Sequence, residues 1–251
     1  MNIDLSGHRA VITGSGSGIS RQVAVVMAES GAEIAVVDIN LTAAQATADS
    51  INQNGGVAKA FLVDVTSRQS IQNLRPEVEG GLGVCDIIVN GAGWNIGAPF
   101  LSNEPDFMDK VIALNLMGNI NMCHTFLPPL VEAGKRGWVV NVSSDAGRVG
   151  SLGETVYAAA KGGVISFTKS LAREMARYNI NVNCVAPGPT DTPLLRMQPE
   201  KIQEALVRAI PFRRLGDPAE IAHVVTFLAS EQASYVTGQV ISVSGGLTMV
   251  G

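Results

Sequence analysis

The stretch Thr13-Gly14-Ser15-Gly16-Ser17-Gly18-Ile19 stands between an apolar run, Ala10–Thr13, and a helix-length segment, Ile19–Ser30. Glycine lets the backbone approach a pyrophosphate closely, and a helix N-terminus presents free N–H groups with a positive partial charge. A glycine-rich run in isolation is often an ordinary turn, but a strand before it and a helix after it favour phosphate binding. The spacing is not G-x-G-x-x-G: three residues separate Gly14 from Gly18, and Ser20 stands where a third glycine is expected. The sequence therefore predicts a phosphate-binding loop here.

Strand-like and helix-like segments alternate from this loop to the end of the chain. The predicted strands are Ala10–Thr13, Glu33–Asp38, Ala60–Val65, Asp86–Asn90, Trp138–Ser143, Asn181–Ala186 and Gln239–Val243. The predicted helices are Ile19–Ser30, Leu41–Asn54, Ser67–Leu82, Pro105–Ala133, Thr155–Tyr178 and Pro218–Ser230. Short strands that are almost wholly apolar are buried on both faces, and this alternation implies parallel pairing with right-handed crossovers. We predict an α/β fold, a Rossmann-type doubly wound three-layer sandwich with a seven-stranded parallel sheet.

Two segments leave the local structure open. Pro76 falls inside the predicted helix Ser67–Leu82, so this helix either accommodates a proline or begins there. The irregular stretch Pro187–Pro211 carries five prolines and contains a predicted short helix within Glu200–Ala209. A long segment at the carboxyl edge of a sheet is often a lid, and we expect one here.

Length and composition bound the class of protein. The chain has 251 residues, 46% of them hydrophobic, and a formal net charge of −4, which favours one domain over residues 1–251. Dispersed Lys and Arg argue against nucleic acid or an anionic membrane as partner. No apolar run approaches the roughly 18 residues of a membrane span, and the N-terminus lacks a signal-peptide core. Cys85, Cys123 and Cys184 are widely spaced and the histidines show no ligand spacing, so we expect free thiols, no metal site and a cytoplasmic location.

Tyr157 and Lys161 lie four residues apart in a predicted helix, a spacing that puts the phenol and the ammonium on one face. A neighbouring positive charge favours the phenolate, so we expect the pKa of Tyr157 to lie below its usual value of about 10. Ser144 follows a predicted strand thirteen residues earlier. A hydroxyl, a phenol and an ammonium together can hold and protonate a carbonyl oxygen. A Tyr/Lys pair alone is more often solvated surface, and it is the predicted phosphate loop that favours catalysis.

Asp38 ends the second predicted strand, 24 residues after Gly14. A carboxylate there can accept hydrogen bonds from the ribose hydroxyls of an adenine dinucleotide and repel a 2′-phosphate. Ser15, Ser17, Ile39 and Asn40 supply no positive charge to neutralise such a phosphate, so the sequence favours NAD over NADP. The alternative is that Asp38 caps the next helix, a role that Asn40 serves equally well.

At these positions the chain resembles the short-chain dehydrogenase/reductase family over its whole length. The matching pieces are Thr13-Gly14-x-x-x-Gly18, Asp38, Asp64-Val65, Asn90-Gly91-Ala92-Gly93, Asn115, Ser143-Ser144, Tyr157-x-x-x-Lys161 and Pro187-Gly188-Pro189-Thr190-Asp191-Thr192. The resemblance implies that Ser144, Tyr157 and Lys161 are catalytic and that Asn115 completes a proton relay. The residues implied in cofactor binding are Gly14, Ser17, Gly18, Ile19, Asp38, Asp64, Val65, Asn90, Gly91, Ala92, Gly93, Tyr157, Lys161, Pro187, Gly188, Thr190 and Thr192. Two departures are Ser20, which replaces a glycine and is expected to tighten helix packing, and Ser244, which replaces an aspartate and puts the usual C-terminal contacts in doubt.

The resemblance implies an NAD-dependent oxidoreductase that interconverts a secondary alcohol and a ketone, working as a homotetramer. Segments 92–96, 144–150, 187–192 and 238–249 further resemble the family's 2-hydroxycyclohexanecarboxyl-CoA dehydrogenases, which implies an alicyclic or β-hydroxyacyl-CoA substrate. The alternatives are a 3-oxoacyl-thioester reductase, a carbonyl reductase of broad specificity and, outside enzymes, a dinucleotide-binding sensor. The helices Pro105–Ala133 and Thr155–Tyr178 are candidates for the subunit interface.

An apolar substrate pocket is expected beside the predicted catalytic residues, with Ser144 and Tyr157 contacting the substrate. Its candidate walls are Trp94, Ile96, Val149, Leu152, Leu194, Leu195 and Met197, each of which has core packing as an equal alternative. Arg148 is a candidate for meeting a carboxylate or a CoA phosphate, although a solvated arginine is the commoner case.

Overall fold

One sheet of seven parallel strands organises the computed structural model, which describes residues 3–250. The strands are β1 Arg9–Thr13, β2 Glu33–Asp38, β3 Val57–Leu62, β4 Ile87–Asn90, β5 Gly137–Val142, β6 Ile180–Pro187 and β7 Val240–Val243. Their order across the sheet is β3-β2-β1-β4-β5-β6-β7, and every pair is parallel. The chain thus moves outward from β1 to β3 and then returns to the other side of β1. The predicted doubly wound fold is confirmed.

Helices cover both faces of the sheet. They are α1 Gly18–Glu29, α2 Leu41–Gln53, α3 Arg68–Leu82, α4 Pro105–Ile112, α5 Gly118–Glu132, α6 Ala146–Val149, α7 Thr155–Met175, α8 Pro193–Arg196, α9 Glu200–Ala209 and α10 Pro218–Leu228. Within the strands, alternate side chains enter opposite cores: Ile12 packs in the core beneath α1, α2 and α10, and Val11 packs in the core beneath α3 and α5. This division follows from the two-residue period of a strand and explains why both faces are apolar.

The third strand begins earlier than predicted, at Val57 rather than Ala60, and ends at Leu62. β3 is an edge strand that pairs only with β2, and Ala58 is its one buried residue. Val63 and Val65 are buried apolar residues of the following loop. The predicted strand extended to Val65 because these residues resemble those of a buried strand. Apolar content locates buried backbone, but it does not separate a strand from a loop that crosses the core.

Helix α3 begins at Arg68, with the side chain of Ser67 accepting a hydrogen bond from the Ser70 backbone N–H, and continues through Pro76 to Leu82. The possibility that it begins at Pro76 is therefore wrong. Pro76 lies on the exposed side of the helix, where the carbonyl that loses its partner remains accessible to water. The short helix expected within Glu200–Ala209 is present as α9.

The single helix predicted over Pro105–Ala133 is interrupted. Between α4 and α5, residues Ala113–Met117 form one π-helical turn, which adds a residue to the helical path without breaking it. Asn115 lies within this turn and is fully buried. A wider turn of this kind re-aims side chains, and π turns often mark functional positions.

The glycine-rich loop is held to the end of β2 by a buried serine. The Ser15 Oγ donates to the Ile12 carbonyl at 2.7 Å and accepts from the Val37 backbone N–H at 2.9 Å. The Ser15 backbone N–H donates to the Val37 carbonyl at 3.2 Å. These hydrogen bonds join the start of the glycine-rich loop to the ends of β1 and β2.

We predict that Ser15→Ala lowers the free energy of unfolding by about 1–3 kcal/mol, because the Val37 N–H loses its partner in a buried site. Chemical denaturation of the protein alone measures this change. Ser17→Ala is the matched control: Ser17 is exposed and its side chain makes no cap bond, so a change within about 0.5 kcal/mol is expected. Equal losses in the two variants would contradict this account of the loop.

Candidate active site

Most of the predicted site residues lie at or after the carboxyl ends of six strands, and Asp64 and Val65 are the pair that follows β3. Parallel pairing puts all these ends at one edge of the sheet, and the reversal of strand order between β1 and β4 opens a crevice there. The glycine-rich loop follows β1, Asp38 ends β2, and Asn90 ends β4. Ser144 follows β5, and the segment from Pro187 to Thr192 follows β6.

The glycine-rich loop forms a cradle that side chains would fill. Gly14 has a φ of +70°, and a Cβ placed there would lie 2.8 Å from the Ala92 Cα. Gly18 has a φ of +58° and opens α1, and its missing Cβ would lie 3.6 Å from the Thr192 Cγ2. Ser17 precedes the helix without capping it through its side chain, so the N–H groups of the first turn, including that of half-buried Ile19, have no side-chain acceptor. This arrangement fits a pyrophosphate.

Asp38 fixes the other side of the loop. Its Oδ2 accepts a hydrogen bond from the Gly16 N–H at 2.9 Å, and its Oδ1 accepts from the Asn40 N–H at 2.9 Å. Asn40 is the residue that caps α2, because its Oδ1 accepts from the Ala43 N–H at 3.1 Å. The alternative that Asp38 is the helix cap is therefore wrong.

The remaining residues predicted on the adenine side make local contacts. The Asp64 Oδ1 accepts hydrogen bonds from the Thr66 N–H at 2.9 Å and from the Thr66 hydroxyl at 2.6 Å. Val65 is buried against Gly118, the first residue of α5. In the protein alone, the Asp64 carboxylate is thus turned to its own loop.

Asn90 lies beneath the crevice rather than along its wall. Its side chain is buried, and Nδ2 donates to the Asn141 Oδ1 at 2.8 Å and to the Cys123 Sγ at 3.2 Å. The Asn141 Nδ2 in turn donates to the Thr168 Oγ1 at 2.9 Å. The Asn90 Oδ1 is buried without a protein partner. This chain of amides joins β4, β5 and α7 under the site.

The turn after β4 packs tightly on the glycine-rich loop. The Thr13 Oγ1 accepts hydrogen bonds from the N–H groups of Gly91 and Ala92, at 3.1 and 3.2 Å. Buried Ser20 packs directly against the position that a Gly91 Cβ would take. The tighter helix packing expected from Ser20 is thus present, and it requires glycine at residue 91.

Lys161 is fully buried on α7, and its ammonium lies at the bottom of the crevice. Nζ donates to the Val142 carbonyl at 2.9 Å and lies 5.7 Å from the centroid of the Tyr157 ring. A Cβ on Gly93 would lie 3.2 Å from this Nζ and 2.9 Å from the Asn115 Oδ1, so three segments converge there. Burial lowers the pKa of Lys161 to about 8, since desolvation disfavours the charged form.

Tyr157 and Ser144 face one another. Burial, followed by the charge of Glu154, raises the pKa of Tyr157 to about 12, and a hydrogen bond with Ser144 acts in the opposite direction. The expected lowering of the Tyr157 pKa is therefore wrong for the protein alone, because desolvation and the charge of Glu154 outweigh the hydrogen bond with Ser144. The Ser144 Oγ also accepts a hydrogen bond from the Ala146 N–H at 3.2 Å. The preceding hydroxyl, that of Ser143, donates to the Lys161 carbonyl at 2.8 Å and fixes β5 to α7.

Asn115 joins the π turn to the loop after β4. Its Nδ2 donates to the Trp94 carbonyl at 2.8 Å and to the Val111 carbonyl at 3.0 Å, and its Oδ1 accepts from the Trp94 N–H at 3.2 Å. The side chain thereby holds the backbone of the loop that carries the first predicted pocket residue.

The segment after β6 reaches across to the glycine-rich loop. Pro187 ends the strand, and the Gly188 N–H donates to the Val243 carbonyl at 3.0 Å. Thr190 is buried and its hydroxyl donates to the Gly188 carbonyl at 2.9 Å. Thr192 caps α8 by accepting from the Leu195 N–H at 3.3 Å. Ser244, the second departure from the family pattern, packs against Gly188 and accepts from the Thr248 N–H.

Most of the predicted pocket residues are exposed at the rim of the crevice. The large exposed apolar side chains among them are Ile96, Val149, Leu152, Leu194 and Met197. Core packing is therefore excluded for these five. Trp94 and Leu195 are half-buried, and the Trp94 ring lies 5.9 Å from Phe107 and 4.5 Å from the Lys110 Nζ.

The Arg148 guanidinium makes hydrogen bonds within the protein. Its guanidinium donates to the Ser242 hydroxyl at 2.8 Å and to the Val250 carbonyl at 3.0 Å. The Ser242 hydroxyl donates to the Asp145 Oδ1 at 2.8 Å, and Asp145 is buried directly after Ser144. The alternative of a freely solvated Arg148 side chain is wrong, because the guanidinium holds β7 and the chain beyond it, whereas the contact with an anion stays a prediction. The sequence did not predict a role for Asp145, because its partner Ser242 lies 97 residues away.

Metal-binding clusters, membrane-spanning helices and cysteines were each sought in the part of the chain that the structure describes. In residues 3–250, no group of three His, Cys, Asp or Glu side chains is arranged to hold a metal ion, and none of the helices has the length and hydropathy to cross a membrane. Cys85, Cys123 and Cys184 are free and buried.

Comparison with known proteins gives one consistent result. Residues 14–248 match the model of a family described as enoyl-(acyl carrier protein) reductase. The chain is 38% identical to the (3R)-3-hydroxyacyl-CoA dehydrogenase of Mus musculus, over 96% of each protein. It is also 38% identical to the 3-oxoacyl-[acyl-carrier-protein] reductase FabG of Thermotoga maritima, over 98% of this chain and 99% of that one. The crystal structure of a 3-oxoacyl-[acyl-carrier protein] reductase from Brucella melitensis superimposes with a TM-score of 0.92 at 35% identity, covering 99% of this chain and 95% of that one.

These matches span almost the whole chain and agree with the resemblance noted from its motifs. The matched proteins are dehydrogenases and reductases of hydroxyl and keto groups, and this family uses nicotinamide dinucleotides as cofactor. The chain belongs to the short-chain dehydrogenase/reductase family and is an oxidoreductase that interconverts a secondary alcohol and a ketone.

Proposed function

We propose that the chain is an NAD-dependent dehydrogenase that acts on a β-hydroxyacyl thioester or on an alicyclic relative of one, in which the hydroxyl and the masked carboxyl lie on neighbouring carbons. The observation that carries the proposal is the convergence of Ser144, Tyr157 and Lys161 beside the glycine cradle. Bound NAD supplies the acceptor for the hydride, or in its reduced form the donor. The protein has to bind the substrate, orient it and move one proton.

Tyr157 carries that proton in the proposed reaction. With its pKa raised to about 12, the phenol is protonated near neutral pH and is ready to donate to a ketone oxygen during reduction. In oxidation the same oxygen takes the proton of the substrate hydroxyl. The Ser144 hydroxyl donates a hydrogen bond to the substrate oxygen and stabilises the negative charge that develops there.

Lys161 and Asn115 support the proton transfer. The buried ammonium lies 5.7 Å from the Tyr157 ring centroid and stabilises the phenolate as it forms. The Asn115 Oδ1 and the Lys161 Nζ both lie beside the position that a Gly93 Cβ would take, so we assign Asn115 to a relay that returns the proton to solvent. Its bonds to Trp94 also hold the substrate side of this relay in place.

The residues proposed to bind the cofactor are those that the family resemblance implies. Gly14, Ser17, Gly18 and Ile19 would hold the pyrophosphate, and Asp38 the ribose hydroxyls. Asp64 and Val65 would flank the adenine. The turn from Gly91 to Gly93, which buried Asn90 supports from beneath, would line the nicotinamide end together with Pro187, Gly188, Thr190 and Thr192. NAD is favoured over NADP because a 2′-phosphate would meet the Asp38 carboxylate, and none of residues 15, 17, 39 and 40 is cationic.

Two observations support the proposed substrate class: the names of the relatives and the apolar side chains predicted to line the pocket. The mouse relative is named as a hydroxyacyl-CoA dehydrogenase and the bacterial ones as 3-oxoacyl-carrier-protein reductases. The resemblance to 2-hydroxycyclohexanecarboxyl-CoA dehydrogenases points to an alicyclic acyl group, which Trp94, Ile96, Val149, Leu194 and Leu195 would accommodate. A 3-oxoacyl-thioester reductase is the second candidate, and NADP dependence would favour it. A non-enzymatic sensor has no support, since all the reacting side chains are present.

Two further expectations stay predictions. A homotetramer is implied by the family resemblance, with α4, α5 and α7 as candidate interface helices. A cytoplasmic location is implied by the three free thiols.

Tyr157→Phe is expected to lower kcat/KM for both reaction directions by at least about 100-fold, because the acid–base group is lost. NAD affinity, measured by calorimetry, should change little. Tyr178→Phe removes a hydroxyl from the last turn of the same helical segment and should leave turnover unchanged. A fully active Tyr157→Phe enzyme would refute the proposed role.

Asp38→Asn tests the cofactor assignment. The amide keeps an acceptor for the Gly16 N–H but removes the charge, so the ratio of kcat/KM for NAD to that for NADP should fall by about tenfold or more. Asp49→Asn makes the same change of charge on the exposed side of α2 and should leave the ratio unaltered. A wild-type preference for NADP would contradict the assignment.

A further inference from the structure

A carboxylate stands directly beside the proposed proton donor. Glu154 immediately precedes α7 and is three residues ahead of Tyr157, which lies in the first turn. The Glu154 Oε1 accepts a hydrogen bond from the Asn95 Nδ2 at 3.1 Å. Asn95 is buried, although the next residue, Ile96, is exposed at the rim. The Glu154 carboxylate is therefore held in one place instead of moving freely in solvent.

A second bond strengthens the same junction. The Ala98 N–H donates to the Gly153 carbonyl at 2.9 Å, and Gly153 has a φ of +77°. The loop after β4, which carries Trp94, is thus joined at two points to the segment that starts α7. Glu154 lies at this junction, between the predicted pocket wall and the phenol.

No cation of residues 3–250 forms an ion pair with Glu154. The Lys161 ammonium is engaged with the Val142 carbonyl at the bottom of the crevice, and the Lys110 ammonium lies over the Trp94 ring. The negative charge of Glu154 is consequently uncompensated, and its field reaches Tyr157, where it opposes ionisation of the phenol. A second negative charge bound beside Tyr157 would be repelled in the same way.

We propose that Glu154 is a specificity-determining residue that excludes free β-keto and β-hydroxy acids and admits the same acyl groups when the carboxyl is masked as a neutral thioester. In a 3-oxo acid the carboxylate is separated from the reacting carbonyl by one carbon. When the carbonyl oxygen is held by Tyr157 and Ser144, that carboxylate lies beside Tyr157, where the field of the Glu154 charge reaches it. A thioester carbonyl at the same position carries no charge. This inference rests on the proposed function, because it takes Tyr157 as the point where the substrate oxygen is held.

Glu154→Gln tests the proposal while keeping the junction intact, because the amide oxygen of glutamine still accepts from Asn95. The substrates are a short 3-oxo acid, its methyl ester and its CoA thioester, each reduced with NADH. The ester separates the effect of charge from contacts made by the CoA moiety. We expect kcat/KM for the free acid to rise by about tenfold or more, and kcat/KM for the ester and the thioester to change less than about threefold.

Where turnover of the free acid is too slow to measure, the inhibition constant of the free acid against the thioester is measured instead. This constant should be about tenfold lower in Glu154→Gln than in the wild type. Glu77→Gln is the matched control, since it removes one negative charge from the exposed face of α3 and should alter neither ratio. An unchanged ratio of free acid to ester in Glu154→Gln would overturn the proposal. Equal losses on all three substrates would also overturn it, because they would indicate a purely structural role.

The pH profile gives an independent readout. A negative charge disfavours the phenolate, so its removal lowers the pKa of Tyr157, and the rise of kcat/KM for alcohol oxidation moves to lower pH. The other titratable groups around this part of the site are Lys161 on α7, Cys184 of β6 near its ammonium, Asp145 after Ser144, and Lys110 on Trp94. None of these is altered in Glu154→Gln. A profile identical to that of the wild type would count against the proposal.

The proposed activity and the role of Glu154 are contradicted by different results. If the proposed function is wrong, the wild type reduces none of the three compounds, or Tyr157→Phe remains active. If only the role of Glu154 is wrong, the wild type reduces the thioester and Tyr157→Phe abolishes this, yet Glu154→Gln leaves the selectivity unaltered.

Discussion

Parallel pairing of seven short strands is the constraint on which the site depends. Because no strand turns back, every carboxyl end lies at the same edge, and each connection must cross a face of the sheet as a helix. The two faces are therefore buried and the chemistry is confined to loops at one edge. The reversal of strand order next to β1 separates the helices of the two faces, and the crevice lies in that gap. Residues that follow six strand ends lie along that edge although these ends are far apart in the sequence.

Burial acts on the two ionisable groups of the site in opposite directions. With a pKa of about 12 instead of 10, ionisation of Tyr157 costs about 3 kcal/mol more than in water. The same desolvation lowers the pKa of Lys161 to about 8, so its ammonium is less stable than at the surface. Burial of both groups also strengthens the attraction between a phenolate and an ammonium, so the ionised form of Tyr157 is less costly while Lys161 is charged. The free energy of ionising Tyr157 therefore depends on every charge that lies in the crevice. For this reason the position of Glu154 affects proton transfer.

The sequence allowed most of the fold to be predicted, because the buried strands are continuous apolar runs and the helices between them have the right length. It failed at β3, where the edge strand has one buried residue and the following loop contains buried apolar residues. For the site, the four-residue spacing of Tyr157 and Lys161 predicted their proximity, but the direction of the Tyr157 pKa depends on burial, which spacing does not report. The bonds of Asn95 to Glu154 and of Arg148 to Ser242 join residues 59 and 94 apart. Only the folded chain reveals such pairs, since nothing local in the sequence marks either partner.

The π-helical turn at Ala113–Met117 imposes a requirement on chain length. Each residue of an α-helix advances the side-chain direction by about 100°, so the inserted position changes the phase of everything that follows it. Upstream of the insertion, Val111 faces the interior, and downstream Met122 and Phe126 face the core beneath α5. Deleting one residue would restore a regular helix but rotate one of these two faces away from its contacts. Evolution can therefore exchange side chains along this helix far more easily than it can tolerate an insertion or a deletion.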